Sequence, residues 1–216
     1  MNSQFNKKEP LSENTSFSAK FNNSPFEGPL IINELAGPFN TTFGLTHCPG
    51  RSSKHSKSNL WNRDLLEDFL EIQNWGADAL ISLIDSQEFQ QLGVPEFPEV
   101  AARQKFDWYH LPIQDFYAPG DKFQEAWSND REAILKYVTT GSKILIHCAA
   151  GLGRTGTFAA KILTNFGWNP RTAIKEVRRI RPGAIERKIQ EQYILNAVSY
   201  THLRAHETDS YLVCRL

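Results

Sequence analysis

His147 and Cys148, followed after five residues by Arg154 and then Thr155, form the spacing in this chain best suited to chemistry on an anion. The run Ile144-Leu145-Ile146 ahead of them is apolar and β-branched, as a buried strand of a parallel sheet requires. Helical periodicity resumes at Thr155. A thiol at the end of such a strand faces the backbone N–H groups of the following loop and the positive end of the next helix dipole. That field favours the thiolate. Ala149, Ala150, Gly151, Leu152 and Gly153 would supply backbone donors to phosphate oxygens, and Arg154 would close the cradle with a bidentate fork. Nucleophile and anion site thus share one loop.

Hydrolysis of a phosphomonoester through a cysteine also needs an acid for the leaving oxygen and a means of placing water on the thiophosphate. Asp115 follows the strand-like WYHLPI on a loop bounded by Pro112 and Pro119-Gly120, which suits hinged closure. Asp121 is the alternative acid, although it better fits the first turn of a helix. Thr155 is placed to donate its hydroxyl to the Cys148 sulfur and stabilise it as a leaving group. His147 is expected to order the loop by hydrogen bonds rather than act as the acid. Gln190 is a candidate for orienting the hydrolytic water.

Two other patterns compete. Gly151-x-Gly153-x-x-Gly156 satisfies the dinucleotide-binding spacing, but that reading needs an acidic residue ending a second strand about 20 residues on. The nearest candidate, Glu176, lies in TAIKEVRRI, which has helical rather than strand periodicity. His47-Cys48 lacks a second pair of residues at metal-ligand spacing, so no metal is expected there, nor any cofactor. The loop holding it also carries Arg51, Lys54, His55 and Lys57, read as a solvated basic segment or, alternatively, as cations flanking the active site.

The elements that must position these groups alternate. A first strand is expected near Leu30 to Leu35, followed by a long turn-rich loop from Gly37 to Ser58. A helix is expected over Asn62 to Trp75, stopped by Gly76, then a strand over Ala79 to Ile84 and a short helix over Ser86 to Leu92. Further elements are a helix near Pro98 to Lys105, a strand over Trp108 to Ile113 and a long helix over Asp121 to Thr140. After the Cys148 loop come helices over Thr155 to Phe166, from Asn169-Pro170 to Ile180, and from Glu186 to about Asn196. The fold class expected is α/β, a single domain with a central, mostly parallel sheet and helices on both faces.

A chain of 216 residues, 40% hydrophobic, suffices for one such domain. Lys+Arg and Asp+Glu number 24 each, so no bulk field recruits nucleic acid or membrane. No apolar run approaches a membrane span, the N-terminus has no signal-peptide core, and the cysteines make no disulfide framework. A cytoplasmic monomer acting on phosphorylated protein is the expectation. Residues 1–27 read as a flexible arm in which Phe5, Phe17, Phe21 and Phe26 are the only packing candidates, and 28–197 as the domain. Residues 198–216 lack any amphipathic period and resemble the translation of a sequencing-library adapter, VSYTHLRAHET and LVCRL around Asp209-Ser210. They are expected to be non-native, which removes Cys214, His202 and His206 from the argument.

HCAAGLGRTG resembles the active-site loop of the cysteine-based protein tyrosine phosphatases. Together with HLPIQD, RRIRPGAI and QEQY it is similar to the compact dual-specificity branch, of the kinase-associated phosphatase type with its bacterial relatives, over about Leu30 to Leu195. The resemblance implies Cys148 as nucleophile, Arg154 as phosphate binder, Asp115 as general acid, Thr155 as thiolate partner, and no metal. The match at Gln190 is looser. No equivalent of the pocket-deepening loop of tyrosine-specific members is present, so phosphoserine and phosphothreonine are expected to fit alongside phosphotyrosine. Ala149, Ala150 and Leu152 are neutral where phosphoinositide phosphatases of this superfamily resemble one another in carrying lysines, which favours phosphoprotein. The alternatives are a phosphate-binding scaffold without turnover and an inositol or nucleotide phosphatase.

Overall fold

The computed structural model describes residue 26 and residues 28–52 and 60–196. The arm before residue 26, Lys54, His55 and Lys57, and the adapter-like tail lie outside the described residues. Phe26 does pack, with its ring edge-on to Trp61 at 4.9 Å and its carbonyl accepting from the Asn62 N–H.

Five strands form one mixed sheet in the order β1-β2-β5-β3-β4. They are β1 (Asn33–Ala36), β2 (Thr42–Thr46), β3 (Ala79–Ser82), β4 (Asp107–His110) and β5 (Lys143–His147). Only the β1–β2 pair is antiparallel; the β2–β5, β5–β3 and β3–β4 pairs are parallel. The α/β architecture expected from alternating elements is therefore present, and β5 takes the central position that its apolar run demanded.

One element was hidden. The stretch from Gly37 to Ser58, expected to be a loop throughout, contains β2, which pairs with both β1 and β5. The disguise is Gly44 in mid-strand, where a Cβ would lie 2.5 Å from Leu145 Cδ1 and 2.9 Å from Trp75 Cη2. Glycine is used here so that the end of α1 can close on the sheet, at the cost of the side chain that would have announced a strand.

The helices follow the sequence closely. Helix α1 (Leu65–Trp75) starts at Asp64, whose carboxylate accepts from the N–H groups of Leu66 and Glu67, and stops at left-handed Gly76. Helix α2 (Ser86–Gln91) opens with a capping box between Asp85 and Glu88. Then come α3 (Phe97–Ala101), α4 (Asp121–Thr139), α5 (Gly153–Asn165) and α6 (Pro170–Ile180), the last capped by Asn169. Residues 188–196 are helical. Side chains of a strand alternate between faces. Gly44, Leu145 and His147 turn toward α1 and α3, where Trp75 and Phe97 meet them. Phe43, Ile144 and Ile146, all buried, fill the opposite face, with α4 and α5 against β5. Both flanks of the Cys148 loop are thereby fixed by packed sheet.

Candidate active site

The loop after β5 is held from below. Gly151 has φ +72, and a Cβ there would press into the backbone of Thr46 and His47, so only glycine lets the loop rest on the end of β2. Cys148 is 3% exposed, and its Sγ accepts the Gly151 N–H at 3.2 Å. The expected bond from Thr155 is not made. Its hydroxyl is fully buried and has no hydrogen-bond partner in the structure, and the backbone amide serves the sulfur in its place.

His147 is fixed by a relay that also assigns its tautomer. The Trp108 indole Nε1–H donates to Ser82 Oγ at 2.9 Å, and Ser82 Oγ lies 2.6 Å from His147 Nε2. Since the indole can only donate, the single Ser82 proton is free for His147 Nε2, which leaves the imidazole proton on Nδ1. Nδ1 in turn lies 3.2 Å from the Cys148 carbonyl, which can accept it. Burial, first, and the Arg154 charge hold the ring neutral, lowering its pKa to about 3 even against the bond to Cys148. His147 is thus neutral and pinned at both ring nitrogens beneath the loop.

Arg154 is 2% exposed, and both of its terminal nitrogens have acceptors. Its Nη1 reaches Glu88 Oε2 at 2.6 Å and the Ile113 carbonyl at 3.0 Å, while Nη2 reaches Glu88 Oε1 at 2.9 Å and Asp115 Oδ1 at 3.0 Å. Burial acts to lower its pKa, but Glu88, Cys148 and Asp115 outweigh burial and raise it, so the guanidinium stays charged. Asp115, half exposed on the loop after β4, is thus brought beside Arg154. Asp121 sits in the first turn of α4 and lines the same cleft of about 590 Å³ as Glu88, Asp115, Asp85 and Lys122.

The Asp115 loop is tied to the helix over residues 188–196. Gln190, 1% exposed, donates from Nε2 to the Tyr117 carbonyl at 3.2 Å and accepts the Arg187 N–H. The Arg187 guanidinium lies 4.5 Å from the Phe116 ring centre, and Phe116 itself has a left-handed φ of 63°. Gln190 also lies where a Cβ on Gly153 would meet it, so it borders the cradle.

Two residues escaped the sequence reading. Glu88 was visible only as the last member of the capping box Asp85-Ser86-Gln87-Glu88; its Oε2 accepts the Asp85 N–H and the same carboxylate grips Arg154. Glu186 accepts the Gly153 N–H at 2.9 Å and so caps α5, which has no side-chain cap of its own. Arg51 reaches the loop, in line with the alternative reading of the basic segment, whereas Cys48 stays a buried turn cysteine. Glu176 is paired with Arg179 on the surface of α6, which leaves the dinucleotide pattern without its acid. Among the described residues no group of three or more His, Cys, Asp or Glu is placed to hold a metal, and no helix is long and apolar enough to cross a membrane.

The model of the family described as "Polymorphic toxin system, DSP-PTPase phosphatase" matches residues 57–168, which carry Glu88, Asp115 and the whole Cys148–Arg154 loop. The chain belongs to this family. It is 37% identical over 82 residues to mouse protein tyrosine phosphatase type IVA 3, covering 38% of this chain and 45% of that protein. It is 27% identical over 125 residues to human phosphatidylglycerophosphatase and protein-tyrosine phosphatase 1, covering 57% and 47% respectively. The chain therefore spans about half the length of these curated relatives. Kinase-associated phosphatase, solved with its catalytic-site cysteine changed to serine, shares the fold with a TM-score of 0.68 at 24% identity, over 79% of this chain and 94% of that one.

Proposed function

We propose that this phosphatase hydrolyses phosphotyrosine, and also phosphoserine and phosphothreonine, in proteins through a phosphocysteine at Cys148. The observation that carries the reading is the convergence of Cys148 Sγ, an inward N–H from Gly151 and an Arg154 fork already oriented by Glu88 and Asp115. In the first step the Cys148 thiolate attacks phosphorus in line, the ester P–O bond breaks, and Asp115 in its acid form protonates the departing oxygen. Arg154 and the loop amides hold the equatorial oxygens as charge shifts. In the second step water attacks phosphorus, Asp115 takes its proton, and the S–P bond breaks to return the thiolate and inorganic phosphate. Gln190, beside Gly153, borders the place where that water must stand.

The human relative's name favours a second reading, a phospholipid monoester as substrate. Two features of this chain support phosphoprotein instead. The loop lining of Ala149, Ala150 and Leu152 offers no extra cation. The adjoining cleft presents Asp85, Glu88, Asp115 and Asp121 against Lys122, a field suited to a basic peptide flank and opposed to an anionic bilayer. Turnover on phosphotyrosine peptide, phosphothreonine peptide, a phosphoinositide and phosphatidylglycerophosphate decides between them; activity confined to the lipids would overturn the phosphoprotein reading.

A further inference from the structure

The loop that cradles phosphate turns its N–H groups inward only if its carbonyls turn outward, because the two groups of a trans peptide point in opposite directions. Those outward carbonyls need partners. Two arginines outside the loop supply most of them, and the Cys48 N–H shares the Ala149 carbonyl at 3.3 Å. Arg51 Nη1 donates to the Ala149 carbonyl at 3.0 Å. Arg181 Nη2 donates to the Ala150 carbonyl and its Nε to the Gly151 carbonyl, each at 3.0 Å. Arg181 Nη1 is anchored in turn on Asn33 Oδ1 of β1 at 2.5 Å. The consequence is visible in one plane: the peptide whose carbonyl Arg181 Nη2 holds is the one whose N–H, that of Gly151, points at Cys148 Sγ.

We propose that Arg181, seconded by Arg51, is a positioning residue that aims the phosphate-binding amides from behind the loop. Arg181 supplies two of the hydrogen bonds made to the carbonyls of Ala149, Ala150 and Gly151. Its planar fork spans two adjacent carbonyls, which a lysine ammonium on a flexible stem does not reproduce. Both arginines stand at ends of elements that packing fixes, Arg181 at the C-terminus of α6 and Arg51 after β2, so the orientation is inherited from the fold. Neither touches the substrate phosphate; they act through the amides that do. The inference rests on the phosphatase reading only for its consequence in turnover.

The test measures binding of tungstate, a tetrahedral oxyanion, by calorimetry on the full chain, alongside kcat and KM for an aryl phosphate. Arg181→Ala is expected to weaken tungstate by about tenfold and to lower kcat by a similar factor, less than the about 10²- to 10³-fold of deleting an oxyanion donor outright, because the amides remain and only their aim is lost. Arg181→Lys is expected to recover less than half of that loss, and millimolar guanidinium, but not ammonium, to restore Arg181→Ala. Wild-type tungstate affinity in Arg181→Ala, or full recovery in Arg181→Lys, would overturn the proposal. Should Arg181→Ala lose its cooperative melt, Arg51→Met carries the decision: it removes one of the three contacts and is expected to weaken tungstate about threefold, and unchanged affinity rejects the clamp. Failure of the two ideas is separable. A wild-type protein that binds tungstate without hydrolysing aryl phosphate sinks the phosphatase reading alone, whereas an indifferent Arg181→Ala sinks the clamp alone.

Discussion

Two neighbouring parallel strands of this sheet end in the same dipeptide. β2 runs into His47-Cys48 and β5 into His147-Cys148, and Thr46 pairs with His147 across the ladder. Both cysteines are buried, yet their surroundings differ in every respect that matters to a nucleophile. After Cys148 the chain offers amides, and Gly151 donates to the sulfur. After Cys48 comes Pro49, which has no N–H, and the thiol itself donates to the Pro49 carbonyl at 3.6 Å. Burial pushes the Cys48 thiol far up, against the opposing pull of Arg51. The histidines diverge likewise. His147 has Ser82 and the Cys148 carbonyl as partners, whereas neither ring nitrogen of His47 has a hydrogen-bond partner in the structure. Both strand ends position a thiol, and only the one at Cys148 is followed by a backbone donor to the sulfur.

The sharpest way to break this contrast is to exchange each sulfur for oxygen. Cys148→Ser should lower kcat/KM for an aryl phosphate by about 10⁴-fold or more, the scale of losing a covalent nucleophile, and Cys48→Ser should stay within a few-fold of wild type. Equal losses in steady-state assays would erase the distinction. Asp115→Asn should follow, with a loss of about 10²- to 10³-fold on a phosphoserine peptide and a smaller one on nitrophenyl phosphate, whose leaving group needs no proton.

A stability measurement sharpens the histidine half. Burial holds both His47 and His147 neutral, with pKa values lowered to about 3. The unfolded chain binds their protons near pH 6.5 and the folded one does not, so stability falls as pH drops from about 6.5 toward 3. Each histidine should cost about 2 kcal/mol between pH 7 and pH 5 in urea unfolding. His47→Leu should remove about half of that slope; an unchanged slope would mean His47 is not buried neutral. A smaller loss than at Cys148 or Asp115 is expected at Glu88→Gln, which keeps the shape of the Arg154 fork and loses its charge. It should lower kcat/KM by about tenfold through misplacement of the arginine, with Cys148 still labelled by iodoacetamide.

The same contrast explains what could be read from the chain beforehand. The Cys148 loop was legible because strand, thiol, amides, arginine and helix lie within 14 residues, Lys143 to Gly156, so spacing alone assembles them. Asp115 was legible because a polar residue after an apolar strand, between prolines, has few other structural tasks. Glu88 and Glu186 act on Arg154 and Gly153 from 66 and 33 positions away, and only the packed sheet brings them there. β2 escaped because its central residue, Gly44, was selected by the tip of Trp75 and not by strand propensity. The Thr155 hydroxyl marks the limit in the other direction: correct spacing placed it at the site, and local geometry gave its bond to the Gly151 amide.

The tether between Gln190 and the Tyr117 carbonyl has a consequence for populations. A single neutral hydrogen bond contributes about 1 kcal/mol net, which corresponds to about a fivefold preference for the latched state. The Asp115–Arg154 pair adds a second hold, but it is half exposed, lies in salt-screened water and competes with any arriving phosphate. A ligand that takes Arg154 would displace Asp115 from the guanidinium and leave the loop held by the Gln190 bond and the Arg187–Phe116 contact.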